Sequence, residues 1–356
     1  MTRYDILRSY DWNYENAPKR SLEIDVPAIP GNWDFCGLSV ASPLGMPAGP
    51  LLNSAWILYY AGLGFDVLTY KTVRSRYRKC FDAPNLLPVD ASQLTGAADA
   101  VRQGSGRSWA ISFGMPSKDP AVWRKDVEAA RRGLRNDQAL VVSVVASPEE
   151  DWSLGDIIAD FVQCARWAKD AGAQAVEANL SCPNVCSQEG QLYHSPEASR
   201  EISAAMADAL GAIPLALKIG LFDDAGRAEA FIAAVGRYAT ALSTVNSISA
   251  TVQTDRGDPA FDGSSRGIGG ECVRDRCQAE LAMLARVAWA EAPGLRLIGV
   301  GGVSTAEDVR GRLSAGAHHV QVATAAMLDP LVAVRIREEI GNGNETRQGL
   351  SSLISR

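Results

Sequence analysis

Residues 296–325 read RLIGVGGVSTAEDVRGRLSAGAHHVQVATA, two short apolar runs on either side of one amphipathic stretch. RLIGVGG (296–302) and HVQVATA (319–325) read as buried strands, and TAEDVRGRLSAGA between them as a helix stopping at Gly316. Continuously apolar strands separated by a helix call for parallel pairing, because a sheet covered on both faces has no solvent side to alternate toward. Working outward, PLGMP (43–47), VLTYK (67–71), ALVVSVVAS (139–147), AVEANLS (175–181), PLALKIG (214–220) and TVNSISA (244–250) are further strand-like segments. Helix-like stretches fill most of the gaps. In LGDIIADFVQCARWAKDAG (154–172), Ile157, Ile158, Phe161, Val162, Cys164, Ala165 and Ala168 recur at helical spacing and Gly172 supplies the stop. Eight strands of this kind are the number that closes an α/β fold into a (β/α)8 TIM barrel.

Two regions stand outside that repeat. Residues 72–108 carry no helical pattern, and WAISFGM (109–115) is a ninth strand candidate. Both are read as an excursion after the second strand, lying over the C-terminal face where a barrel keeps its active site. Residues 1–40, rich in Asp, Asn, Pro and Trp, form an irregular N-terminal arm. The organisation expected is therefore an arm (1–40), one barrel (41–340) and a C-terminal tail (341–356). Hydrophobic residues make up 47% of the 356, enough for a large core and against disorder. A net charge of −6 argues against a nucleic-acid or anionic-membrane binder. The basic run Arg74, Arg76, Arg78 and Lys79 reads as a solvated loop. With no spanning-length apolar run and no signal-peptide centre, the chain reads as cytoplasmic. Its seven cysteines are an odd count that suggests reduced thiols. No metal site is read from Cys182 with Cys186, Cys272 with Cys277, or the three histidines, none of which has ligand spacing.

Residues just past each strand's carboxyl end should converge on one pocket. Those positions give Ala48-Gly49, Lys71-Thr72, the run Asn179 to Asn184, Lys218, Asn246-Ser247, Gly301-Gly302 and Ala323-Thr324, with no carboxylate and no histidine. The lack of paired carboxylates speaks against glycoside hydrolysis. GVGGV (299–303) and ATAA (323–326) follow the last two strands, the usual place in a barrel for a phosphate group. GIGG (267–270) permits a further close backbone approach. Cys182 leaves its strand into a polar loop, where a thiolate can act as base or nucleophile. The carboxamides of Asn179, Asn184 and Asn246 offer paired donors and acceptors that suit an imide or amide ring edge. Lys71 and Lys218 either stabilise the charge of a reduced ring or, in a different enzyme class, serve a lysine-dependent lyase or aldolase.

AGPLLNSA, LTYKTV, ISFGMPS, NLSCPNV, LALKIG, TVNSIS, RGIGG, GVGGV and QVATAAM occur in one order. With these segments the chain resembles the dihydroorotate dehydrogenase family, including the related dihydropyrimidine dehydrogenase catalytic domain, over roughly residues 40–335. The resemblance implies an FMN-dependent oxidoreductase that interconverts a CH–CH bond next to a carbonyl with a conjugated C=C bond. It implies FMN held by Ala48, Gly49, Lys71, Thr72, Asn179, Lys218, Gly269, Gly270, Gly301, Gly302, Ala323 and Thr324, with Cys182 as base as in the soluble branch. Substrate contacts fall on Lys71, Asn179, Asn184, Asn246, Ser247 and the position of Ile111. The implied partners are a small-molecule substrate, a second copy in a homodimer and a possible separate electron-transfer partner; no nucleic acid or membrane is implied. Fumarate, a quinone, oxygen and a partner reductase remain open as acceptors. One residue departs: ungapped matching of ISFGMPS puts Ile111 where the family has asparagine. One polar contact to dihydroorotate is then missing, so a more apolar cyclic amide or another α,β-unsaturated carbonyl compound is the alternative substrate.

Overall fold

The computed structural model describes residues 3–19, 24–97, 100–181, 191–222 and 224–342. Eight parallel strands close into a barrel in sequence order: β1 (Leu44–Met46), β2 (Val67–Val73), β3 (Ala139–Val144), β4 (Ala175–Asn179), β5 (Leu215–Lys218), β6 (Ala241–Thr244), β7 (Arg296–Val300) and β8 (His319–Gln321). Val320 of β8 pairs with Leu44 of β1 and shuts the ring. β2 is buried at all seven positions, which is why its sequence shows no alternation.

Helices follow the strands and cover the barrel. The helix Leu154–Asp170 starts at a reciprocal cap: the Asp156 N–H donates to Ser153 Oγ (3.3 Å) and the Ser153 N–H to Asp156 Oδ2 (2.8 Å). Thr305 and Asp308 repeat this at the helix Ala306–Ser314. Gly172 (φ +96°) and Gly316 (φ +107°) lie just past these two helices in the left-handed region, as the sequence spacing predicts. Among the described residues, no helix is long and apolar enough to cross a membrane.

The structure corrects one strand. TVNSISA is two elements: β6 ends at Thr244, and Ile248–Gln253 belongs to a second sheet. The residues on either side of Asn246-Ser247 carry the same β-branched character, so strand propensity alone does not mark the break. The second sheet has five strands, Leu86–Asp90, Ala100–Gln103, Ser108–Ile111, Ile248–Gln253 and Arg266–Gly270, closed on themselves. It joins the excursion after β2 to the one after β6 around its own small core, which includes Val89, Val101, Ile248 and Ile268. Arg74 is a second correction. It is not solvated but 1% exposed, its guanidinium donating to the Met115 carbonyl (3.1 Å) and to that of Ala146.

A buried ion pair ties the helix Val332–Asn342 to the N-terminal side of the barrel. Arg337 pairs with the fully buried Asp66 and donates to the Gly64 carbonyl (2.8 Å) and Ser42 Oγ (2.8 Å). Ser42 Oγ donates to Asp66 (2.6 Å), and Gln138 to its other oxygen (3.3 Å). Asp66→Ala strands the guanidinium in the interior and should cost about 3–5 kcal/mol. Urea unfolding checks this, and an unchanged midpoint contradicts it.

Candidate functional site

At the carboxyl ends of the strands lies a cavity of about 330 Å³, within the range of roughly 300–1,000 Å³ usual for small-molecule sites. It is lined by Ala48 and Gly49 after β1, Lys71 and Thr72 of β2, Asn179 of β4, Lys218 of β5, and Asn246 and Ser247 after β6. Gly301 and Gly302 after β7 and Ala323 and Thr324 after β8 complete the rim, while Ile111, Gly269 and Gly270 enter from the second sheet. Every sequence-predicted site residue that the structure describes therefore meets in one space. Cys182 and Asn184 lie outside the described residues.

One end is built from backbone. Gly301 (φ +100°) and Gly302 (φ +75°) are left-handed, and a Cβ on them would lie 2.5 Å from Cys277 Sγ and 2.4 Å from Arg274 Cα. Only glycine fits there. Arg312, 1% exposed, donates to the Gly301 carbonyl (2.6 Å), and Arg274 donates to that of Gly302 (3.2 Å). A loop whose carbonyls are drawn to cations presents its N–H edge to an anion. Gly269 faces this end: a Cβ on it would stand 3.5 Å from both Thr324 Oγ1 and Ile111 Cδ1.

The other end is built from side chains. Lys71 and Lys218 are each 7% exposed, and Lys71 Nζ stands 5.2 Å from the Phe113 ring centroid. Asn179 Oδ1 accepts from the Ser181 N–H (3.2 Å) and from Asn246 Nδ2 (3.4 Å), and Asn179 Nδ2 points at Met115 Sδ (3.5 Å). These contacts fix both carboxamides at the cavity wall. Gly114 (φ +70°) and Met115 (φ +51°) are both left-handed, so the chain turns sharply just after Phe113. This end thus carries two buried amines and two fixed carboxamides.

His318 and His319 open β8, at the opposite end of the strand from the cavity, and burial pushes His319 down to about 3. Of the carboxylates lining the cavity, Glu271 is paired with Arg107 (2.9 Å) and Asp329 with Arg335, and Glu339 comes from the helix Val332–Asn342. Burial raises all five described cysteines, with Cys36, Cys80 and Cys277 pushed up to about 12.

Sequence reading missed Gln321, Phe113 and Met115. Gln321 is 2% exposed and lines the cavity; its Nε2 donates to Thr69 Oγ1 (3.2 Å), while Oε1 has no partner among the described residues. Strand alternation places Gln321 on the face of Ala323, a signal present in HVQVATA. Phe113 and Met115 gave no such signal, because their place depends on an excursion folding back.

A sequence profile described as dihydroorotate dehydrogenase matches residues 32–343. A Dictyostelium discoideum protein named dihydroorotate dehydrogenase is 34% identical over 358 residues, 93% of this chain and 95% of its own length. The chain belongs to the dihydroorotate dehydrogenase family. Weaker matches are dihydroorotate dehydrogenase A (fumarate) of Limosilactobacillus reuteri, 29% identical over 49% of this chain and 56% of that protein, and a Listeria monocytogenes protein. The latter, dihydroorotate dehydrogenase B (NAD(+)), catalytic subunit, is 27% identical over 62% of this chain and 68% of its own length. As a dihydroorotate dehydrogenase homologue, the chain is an oxidoreductase acting on a CH–CH bond.

The raised thiols make a direct prediction. At pH 8 the folded protein should leave Cys80 and Cys277 unalkylated by iodoacetamide, while denatured protein labels both, because only thiolates react. Peptide mass spectrometry reads the difference; native labelling of Cys277 contradicts the burial of that thiol.

Proposed function

We propose that the protein is an FMN-dependent dihydroorotate dehydrogenase. The observation that carries this is the cavity with two unlike ends, a glycine backbone cradle at one and buried lysines with fixed carboxamides at the other. The Dictyostelium relative, matched along nearly its whole length, supports the substrate. The homodimer rests on the family likeness alone.

The residues present fit the flavin nucleotide. Gly301, Gly302, Ala323 and Thr324, with Gly269 and Gly270, would hold its phosphate through backbone N–H groups and the Thr324 hydroxyl. Ala48, Gly49, Thr72, Lys218 and the unsatisfied Gln321 Oε1 would border its ring and ribityl chain, and no heavy atom lies within 4 Å of a Cβ built on Gly49. When bound, FMN supplies the hydride acceptor. The chain's own part is to bind, orient and move a proton. Lys71 would meet the substrate carboxylate. Asn179 and Asn246, already locked to each other, would present the remaining amide edges to the substrate ring together with Asn184 and Ser247. Cys182, in the NLSCPN segment that matches the family's base, would take the proton from the carbon next to the carbonyl.

Ile111 favours a second reading. It lines the cavity where an asparagine would offer a hydrogen bond, which suits a more apolar cyclic amide. The test is anaerobic: purified protein loaded with FMN is mixed with dihydroorotate and with a panel of apolar cyclic amides. Bleaching by dihydroorotate is expected, and bleaching by none of them refutes the function. Cys182→Ala should keep the flavin spectrum and lose about a hundredfold or more in bleaching rate. Ile111→Asn should tighten dihydroorotate binding about tenfold, the worth of one recovered buried hydrogen bond.

A further inference from the structure

The N-terminal segment reaches the cavity wall from outside. Tyr4 and Tyr10 are 5% and 3% exposed, and both put their rings edge-on to Phe113, at centroid distances of 6.2 Å and 5.9 Å. On the cavity side, the same Phe113 ring carries Lys71 Nζ at 5.2 Å. The backbone is tied at the same place. The Tyr10 N–H donates to Asn85 Oδ1 (2.9 Å), and Asn85 Nδ2 donates to the carbonyl of Ser112, the residue before Phe113 (3.1 Å). Trp56 Nε1 donates to the Asn13 carbonyl (3.0 Å), Asn53 Nδ2 to that of Tyr14 (2.8 Å), and Lys118 pairs with Asp11 (2.8 Å), so the segment just after Tyr10 is fastened to the barrel.

We propose that Tyr4 and Tyr10 are positioning residues of the substrate end: they clamp Phe113, and the clamped ring fixes where the Lys71 ammonium stands. A cation over an aromatic face is held only as firmly as the face itself. Phe113 sits on an excursion that a left-handed turn at Gly114 and Met115 bends back over the barrel, so its ring needs support from outside. The two tyrosines supply that support. Residues before the first barrel strand thereby act on substrate affinity without touching substrate. This rests on reading the Lys71 end as the substrate end.

The test compares wild type with Tyr10→Leu, Tyr4→Leu and Tyr10→Phe, all loaded with FMN. Dihydroorotate KM and kcat, FMN affinity by fluorescence, and orotate binding by the shift of the flavin spectrum are measured on the folded fraction. Each leucine variant should raise KM and weaken orotate about fivefold, the size of one lost aromatic pair, with kcat and FMN affinity within about twofold of wild type. Tyr10→Phe, which keeps the ring, should restore the wild-type KM. A purely structural role would lower the melting temperature of both leucine variants and leave KM where it was, which overturns the proposal. Should one leucine variant fail to fold, the other decides by the same criterion. A wild-type protein that dihydroorotate does not bleach fails earlier, at the functional reading, and takes this inference with it.

Discussion

Closure of the sheet between β8 and β1 is the constraint on which the site depends. The seam is made by three-residue strands: the Val320 N–H donates to the Pro43 carbonyl (2.9 Å) and the Val322 N–H to that of Gly45 (2.9 Å). Gly45 is forced by the tightness of this join, since a Cβ there would lie 2.8 Å from the Val67 carbonyl. With the ring shut, all the strand ends share one rim. Chemistry scattered from Ala48 to Thr324 in the chain becomes a single cavity wall. Arg337 and Asp66 brace the opposite side, so the helix Val332–Asn342 holds the N-terminal rim while the glycine loops shape the C-terminal one.

The barrel was legible because its strands are buried on both faces and its helices stop at glycines. VLTYK, ALVVSVVAS and PLALKIG each carry their strand, and Gly172 and Gly316 stand where the helix pattern ends. TVNSISA misled for a physical reason. The chain passes from β6 of the barrel to the strand Ile248–Gln253 of the second sheet through Val245, Asn246 and Ser247 alone, too short an interruption to read as the end of one strand and the start of another. Arg74 misled in the opposite way: its neighbours Arg76, Arg78 and Lys79 are exposed or partly so, and nothing local says that its own guanidinium turns inward to carbonyls.

The cavity was half legible. Positions after strands could be read off once a barrel was assumed, and Lys71, Asn179, Lys218, Gly301 and Thr324 all line it. The outer wall could not be read that way. Phe113 and Met115 arrive by an excursion, and the rings behind Phe113 belong to residues far earlier in the chain. Such contacts follow from tertiary folding and leave no periodic trace. Ile111 shows the same division, being placed correctly by motif order although its packing near Gly269 and Thr324 is visible only in the folded chain.

The proposed division of the cavity into a backbone end that would hold an anion and a side-chain end that would hold a ring is tested most directly by ligand choice. Apoprotein is titrated in parallel with FMN and with riboflavin, which differ only in the phosphate. FMN should bind about a hundredfold more tightly, the worth of two charge-assisted hydrogen bonds from the Gly301–Gly302 and Ala323–Thr324 turns. Equal affinity for the two, or no affinity for either, would contradict the account.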